Sequence, residues 1–428
     1  MKLLIKNAHI IIEGTYRKAD ILSESGIITD ISDVLDIVSQ TEDMTVINAC
    51  GNFVIPGLID LHCHLRDPGD LESEDIYSGS ESAVRGGFTS IACMPNTYPV
   101  IDNEETIKYI IEKAKNAKAR VLPIAAITYG SKGEMMTDFA ELKRIGAVAV
   151  SDDGKPVTDS SVMKNALIEA NKYGLALISH CEDMYIAEGG AMNDGEVADR
   201  LGYKGIHRSA EEIMIARDIV LAETTGTFVH IAHVSTFGGV QLIREAKKRK
   251  VKVTCETCPH YFTLTEDAAE YLGTNAKMNP PLRTKQDRAA VIKGLADGTI
   301  DIIATDHAPH KAEKKALPFN EAAFGIIGFE TALALANTYL IKTGVMKTAD
   351  LIDKFTVNPA KIFAIDSGCI AVGKRADMVV FDPDFEWTVD VERFASKSKN
   401  SPYNGFKLTG KVLTTVMDGK IVYDCNNI

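Results

Sequence analysis

The segment LIDLHCHLRDPG, residues 58–69, ends an apolar run with His62 and His64 and sets Arg66 two positions further on. Residues one apart in an extended strand share a face, so the two imidazoles can hold one metal ion, and a guanidinium fork beside them suits a carboxylate. Other metal-capable residues end other apolar runs: Asp152 and Asp153 in GAVAVSDD, His180 in GLALISHCED, His233 in GTFVHIAHVS, Asp306 and His307 in IDIIATDHAPH. Taken singly, each is more simply a hydrogen-bonded residue at a strand end. His62, His64, Asp153, His180, His233 and Asp306 at one end of a single fold reverse that balance, because imidazole and carboxylate together are a ligand set for two zinc ions or similar borderline metals.

Two metals about 3.5–4 Å apart can share a water, lower its pKa and polarise a carbonyl oxygen. A carboxylate facing that water can take its proton and pass it to a leaving nitrogen, and Asp306 is assigned that role. The chemistry expected is metal-assisted hydrolysis of an amide-like bond, or its reversal. Strand parity refines the set. Asp153 shares parity with Ala147 and Ala149, which favours it over Asp152 if the small residues face inward. His230 has the opposite parity from His233 and is expected to face the helix layer. His9 is assigned to a β domain, His207 to a loop and His260 to packing; His307, beside Asp306, is expected to point elsewhere, as a partner of a ligand. Lys155, between Gly154 and Pro156, is read as a solvated loop lysine.

Those residues need elements to carry them. Eight short, β-branched apolar runs occur between residues 53 and 365: NFVIPGLIDLH, GFTSIACMPN, RVLPIAAIT, GAVAVSDD, GLALISHCED, GTFVHIAHVS, VKVTCETCPH and IDIIATDHAPH. Amphipathic stretches such as DNEETIKYIIEKAKNAKA and SSVMKNALIEANKYG lie between them. This alternation predicts an α/β fold, a (β/α)8 TIM-like barrel, whose chemistry belongs at the C-terminal ends of its strands. An open doubly wound sheet is the runner-up, but no GxGxxG follows a strand. Residues 1–52 and 366–428 alternate instead like short antiparallel strands, so both chain ends are predicted to pair into one small composite β domain beside the barrel of residues 53–365.

The 428-residue chain has 47 basic and 59 acidic residues, a formal charge of −12, which argues against nucleic acid as a partner and for a small molecule. Its N-terminal segment is too broken by Lys6, Asn7 and His9 to be a signal or a membrane span. With eight scattered cysteines and only one CxxC, at Cys255 and Cys258, a cytoplasmic protein with reduced thiols is expected.

Further residues near the rim could bind substrate. Arg66 offers its fork to a carboxylate, or pairs with Asp67 or Asp70. Asn96 in MPNT and Asn279 in KMNPPLR are turn formers or contacts. His310 heads a charged segment that could close over the site.

The motifs DLHCHLRDPG, MPNT, SDDG, HCED, HIAHVST, KMNPPLR and ATDHAPH, in this order over nearly the whole chain, resemble dihydroorotases of the bacterial class I type in the amidohydrolase superfamily. The resemblance implies a distorted barrel with a composite β domain. It implies two zinc ions per subunit, with His62, His64 and Asp306 on one, His180 and His233 on the other, and Asp153 between them where many relatives use a carboxylated lysine. It further implies that Arg66, Asn96 and His310 hold a substrate carboxylate, that Asn279 and the backbone at Phe324 and Gly325 meet a pyrimidine ring, and that His64 also lies in the substrate-contact segment. The reaction so implied is the reversible cyclisation of N-carbamoyl-L-aspartate to L-dihydroorotate and water, in which a bridging hydroxide attacks the ring amide carbonyl and Asp306 acts as base and acid. A homodimer and association with aspartate transcarbamoylase are compatible expectations. The rival readings are a hydantoinase-like or allantoinase-like cyclic amidase and a non-catalytic scaffold subunit.

Overall fold

A computed structural model describes residues 2–12, 15–35 and 44–427. Parts of the N-terminal region assigned to the β domain, residues 1, 13–14 and 36–43, lie outside the described residues, as does residue 428. The chain begins with β1 (Lys2–Ile12), β2 (Thr15–Glu24), β3 (Ile27–Ser32), β4 (Met44–Asn48) and β5 (Phe53–Pro56). Alternation buries Ile5, Ala19, Ile21 and Ile28 in a small core of their own.

The barrel strands follow: β6 (Leu58–Cys63), β7 (Phe88–Cys93), β8 (Arg120–Ala125), β9 (Ala149–Ser151) and β10 (Ala176–Ser179). A two-stranded excursion, β11 (Met192–Asn193) and β12 (Gly205–Ile206), precedes β13 (Val229–Ile231), β14 (Val253–Thr257) and β15 (Ile302–Ile303). The eight barrel strands pair in parallel in the order β6, β7, β8, β9, β10, β13, β14, β15. Closure is irregular. A bridge joins Cys63 to His307 past the end of β15, and Thr305 N–H donates to Asp60 Oδ1 at 3.0 Å.

Helices α1 (Ile76–Arg85), α2 (Glu104–Ala114), α3 (Phe139–Ile145), α4 (Ser160–Tyr173), α5 (Ser209–Thr225), α6 (Phe237–Lys248), α7 (Lys285–Ala296) and α8 (Phe329–Ala336) form the outer layer. Their ends follow local chemistry. Asp75, Asp159 and Thr284 accept from first-turn amides, while Gly174 and Gly226 close α4 and α5 at φ of 63° and 68°. Ile59, Leu61, Ala92, Ile124, Ala149, Ile178, Ala232 and Ile302 fill the barrel interior, and the alternate residues Val150, Leu177, Val229 and Ile231 pack toward the helices.

The tail returns as β16 (Met378–Thr388), β17 (Lys407–Met417) and β18 (Lys420–Asp424). Strand β16 pairs antiparallel with β5, so one sheet runs β18, β17, β16, β5, β1, β2, β3, with β4 parallel to β1. The run NFVIPGLIDLH, read as one barrel strand, therefore divides at Gly57. A Cβ there would lie 2.2 Å from Thr89 Oγ1, so only glycine lets the chain pass between the two sheets. Arg120 fastens the tail to the barrel through Asp377 at 3.0 Å and Asp418 at 3.2 Å. Among the described residues no helix is long and apolar enough to cross a membrane.

Candidate active site

His62 and His64 leave the end of β6 side by side. His62 Nε2 lies 3.3 Å from Asp153 Oδ1 and 3.7 Å from Asp306 Oδ1; His64 Nε2 lies 3.1 Å from Asp306 Oδ1 and 3.5 Å from Asp153 Oδ2. On the other side of Asp153, His180 Nδ1 stands 3.4 Å and His233 Nε2 3.7 Å from the same Oδ1, and these two nitrogens are 2.8 Å apart. Asp153 thus sits between two groups of imidazoles. The trios His62, His64, Asp153 and Asp153, His180, His233 each keep their ligand-capable atoms within 4.8 Å of one another, all on buried residues.

Asp152 turns away, as strand parity requires, and accepts from Ile127 N–H at 2.8 Å and from Thr128. Lys155 is exposed. The expectation for His230 is corrected: it does not face the helices. Val229 and Ile231 do, and His230, fully buried, donates from Nε2 to Glu256 Oε2 (3.2 Å) while its Nδ1 meets Thr254 Oγ1 (2.8 Å). His233 nevertheless reaches the site because β13 ends at Ile231 and His233 adopts φ of 32°, which breaks alternation. Asp306, at φ of 47° beyond β15, is aimed by the same device.

Three residues that the sequence reading passed over support this cluster. Glu256 accepts from His62 Nδ1 at 2.7 Å, which fixes the tautomer leaving Nε2 free to ligate. Glu182 Oε2 is 3.2 Å from His180 Nε2 and 3.0 Å from Asn279 Nδ2. Asp60, next to the ligand strand's end, takes Thr305 N–H and hydroxyl; burial, despite those bonds, pushes its carboxyl up to about 7. A signal for Glu182 was present, since it shares parity with His180; Glu256 is the one acid in an apolar run, VKVTCETCPH. His307 is held apart by Gly328 N–H and by stacking on Phe329, while its carbonyl accepts from His64 N–H at 2.8 Å. His260 is buried against Tyr261, and burial pushes it down to about 4.

The electrostatics favour a cation. Burial would raise the Asp153 carboxyl, but the His62 charge and the nearby imidazoles of His180 and His233 hold it well below the usual range. Asp306 falls to about 2: burial opposes this, and His64 and His62 prevail. His180 rises to about 10, against burial, through Asp153 and Glu182. Ionised carboxylates set among imidazole nitrogens offer donor atoms to a cation. The decisive atoms are His62 Nε2 and Asp153 Oδ1, both buried and both without a hydrogen bond among the described residues. Imidazole nitrogens and carboxylate oxygens so placed fit zinc.

Beside the cluster opens a cavity of about 240 Å3 lined by His64, Arg66, Asn96, Asp153, His180, His233, Asn279, Asp306, His310, Phe324 and Gly325. The structure brings every residue expected at the site except His62 onto one cavity lining, and His62 is buried 3.3 Å from Asp153. Arg66 does not pair with Asp67, which binds Lys113, or with Asp70, which binds Lys314; its Nε donates to Pro309 O and its Nη2 lies 3.2 Å from His310 Nε2. Burial, then the Arg66 charge, pushes His310 down to about 3, so it is neutral, and its Nε2 is 2.7 Å from Phe324 O. Asn96 is drawn inward, its carboxamide shared between His64 Nδ1 (2.9 Å) and Asp153 Oδ2 (3.2 Å). Cys255 and Cys258 are buried free thiols away from this cavity lining.

Residues 51–238 match a family model described as dihydro-orotase-like, and residues 230–423 match the amidohydrolase family. Curated dihydroorotases of Acetivibrio thermocellus and Ruminiclostridium cellulolyticum are 54% and 52% identical, each comparison covering 98% of both chains. That of Geobacter metallireducens is 51% identical over 99% of this chain and 100% of its own. Among solved structures, the L-hydantoinase of Arthrobacter aurescens superposes with a TM-score of 0.88 at 26% identity, covering 99% of this chain and 96% of its own.

Proposed function

This chain belongs to the dihydroorotase family of amidohydrolases, hydrolases of cyclic amides that interconvert L-dihydroorotate and N-carbamoyl-L-aspartate in pyrimidine synthesis, and we propose that two zinc ions would serve this reaction, with Asp153 helping to hold both. His62, His64 and Asp306 would hold one ion and His180 and His233 the other. When bound, the metals lower the pKa of a shared water and polarise the ring amide carbonyl. Support for the bridge comes from Asp153 Oδ1, which has no hydrogen bond among the described residues and faces nitrogens of His62, His180 and His233 at 3.3, 3.4 and 3.7 Å.

Each remaining role falls to a residue of this chain. Asp306, ionised and open to the cavity, takes the proton of the attacking water and gives it to the ring nitrogen as the amide breaks; in the biosynthetic direction it runs the reverse transfer. Arg66, with His310 at its side and Asn96 on the same cavity, holds the substrate carboxylate, and His64 contacts the substrate from the cavity lining. Asn279 and the backbone of Phe324 and Gly325 meet the ring. A hydantoin has no carboxylate to meet Arg66, so this wall favours dihydroorotate over the substrates of the hydantoinases whose fold it shares.

The proposal extends to a cytoplasmic location, consistent with free thiols at all eight cysteines, and to a homodimer able to associate with aspartate transcarbamoylase. Light scattering of the protein alone and mixed with that enzyme tests both assemblies. Turnover of dihydroorotate, hydantoin and allantoin by one zinc-analysed sample tests the function. Turnover confined to dihydroorotate supports it; turnover of the other two alone overturns the substrate assignment.

A further inference from the structure

Both imidazole groups have a carboxylate behind them, and the two carboxylates are used differently. Glu256 is fully buried; His62 takes one oxygen and His230 the other, and Thr254 closes the far side of His230. That set ends inside the barrel. Glu182 faces two ways, because the single oxygen Oε2 meets both His180 Nε2 and Asn279 Nδ2.

The consequence for Asn279 is orientational. A carboxamide has an acceptor end and a donor end, and only its partners decide which end points where. With Nδ2 committed to Glu182, Oδ1 is the end left for the cavity that Asn279 lines, and Oδ1 has no hydrogen bond among the described residues. The wall therefore presents an acceptor. A cyclic amide or ureide carries N–H donors, so the presented end matches the ring, whereas the flipped amide would oppose donor to donor.

The consequence for His180 is tautomeric. A carboxylate can only accept, so His180 carries its proton on Nε2, and the lone pair of Nδ1, 2.8 Å from His233 Nε2, is left for His233 or a metal. We propose that Glu182 is a positioning residue that couples ring recognition to metal binding, its one oxygen orienting the Asn279 amide toward the ring and the His180 imidazole toward the metal. This rests on the dihydroorotase reading with Asn279 at the ring.

The test is a double-mutant cycle of Glu182→Gln and Asn279→Ala, read in zinc-saturated kcat/KM for dihydroorotate and in the zinc affinity of the apo-protein measured by competition with a chromogenic chelator. A glutamine keeps the shape but offers the Asn279 amide no fixed polarity. Glu182→Gln is expected to weaken zinc binding by about 10–100-fold. At saturating zinc it is expected to lower kcat/KM by about tenfold through KM, an orientation effect worth about 1.4 kcal/mol, and the double variant is expected to match Asn279→Ala within about twofold. Unchanged zinc affinity in Glu182→Gln, or single effects that simply multiply in the double variant, would overturn the coupling. Should Glu182→Gln fail to fold, Glu182→Asp, which keeps the charge and withdraws it by one methylene, is read in the same cycle against the same outcomes. Wild-type protein that binds zinc but leaves dihydroorotate unchanged would remove the underlying reading, while active wild type with a multiplicative cycle removes the coupling alone.

Discussion

The proposed ligand rim and the proposed substrate wall line one cavity and are held by opposite kinds of group. At the rim, carboxylates hold side chains: Glu256 on His62, Glu182 on His180, Asp60 on Thr305. At the wall, ammonium groups hold backbone. Lys315, buried, donates to the carbonyls of Lys277 (3.2 Å), Ala323 (2.9 Å) and Gly325 (3.0 Å), and Lys277, also buried, donates to those of Phe319 (2.6 Å) and Asn320 (3.1 Å) while lying 4.3 Å over the Phe324 ring. Asn400 adds bonds to Ala308 O and Gly325 O. The metal-capable atoms are set by where individual rings point, and the pocket by where a loop lies. Changes at the rim should strike metal affinity and turnover; changes at the wall should strike KM.

Asp306→Asn should break the rim most severely. The fold should survive, with an unchanged circular dichroism spectrum, and turnover should fall by about 10²–10⁴-fold, the range of a lost general base. Unchanged turnover would remove Asp306 from proton transfer. Glu256→Gln comes next, with zinc affinity reduced about 10–100-fold and partial recovery of activity in excess zinc. Zinc affinity equal to wild type would show that His62 needs no such anchor.

At the wall, Lys315→Met should raise KM for dihydroorotate about tenfold, about 1.4 kcal/mol, with kcat within about twofold and zinc content unchanged. Of the three carbonyls it releases, Gly325 O keeps Asn400 and Lys277 O keeps Gly325 N–H, so the wall loosens without unfolding. A fall in kcat with KM unmoved would merge the two regions that the comparison separates.

The smallest effect is in pH. Burial, and then the charge of Lys277, pushes Lys315 from 10.5 down to about 7. Between those values the unfolded chain keeps a proton that the folded chain has released, so stability rises with pH across that window. The burial cost of the ammonium is fully present below about 7 and relieved above it. Melting temperature should therefore climb less steeply from pH 7 to pH 10 in Lys315→Met than in wild type; parallel curves would mean that Lys315 titrates normally.

The rim was largely legible in the sequence and the wall was not. His62 and His64 announce themselves because both stand where an apolar run ends, and Asp153 and His180 follow from alternation with Ala149 and Ile178, which the barrel interior repeats. Alternation stops where a strand stops. It therefore misplaced His230, and it could not explain how His233 and Asp306 arrive, since both turn in through positive φ. It also read β5 and β6 as one strand, because parity does not register a glycine forced by a neighbour such as Thr89. Lys315 stands in the charged run KAEKK, read from the sequence only as part of a segment that could close over the site, yet it folds inward because a loop of unpaired carbonyls needs donors. At the wall, Arg66 was reached from its place two positions after His64, whereas Phe324 and Gly325 were reached through motif resemblance alone.

The central claim is that the rim is a dinuclear zinc centre serving dihydroorotate turnover. Its most direct test is metal analysis and dihydroorotate turnover on the same protein sample, before chelation, after it, and after zinc is restored. About two zinc ions per chain are expected, with activity lost on chelation and recovered with zinc. Less than about one ion per chain, with no activity before or after added zinc, would contradict it.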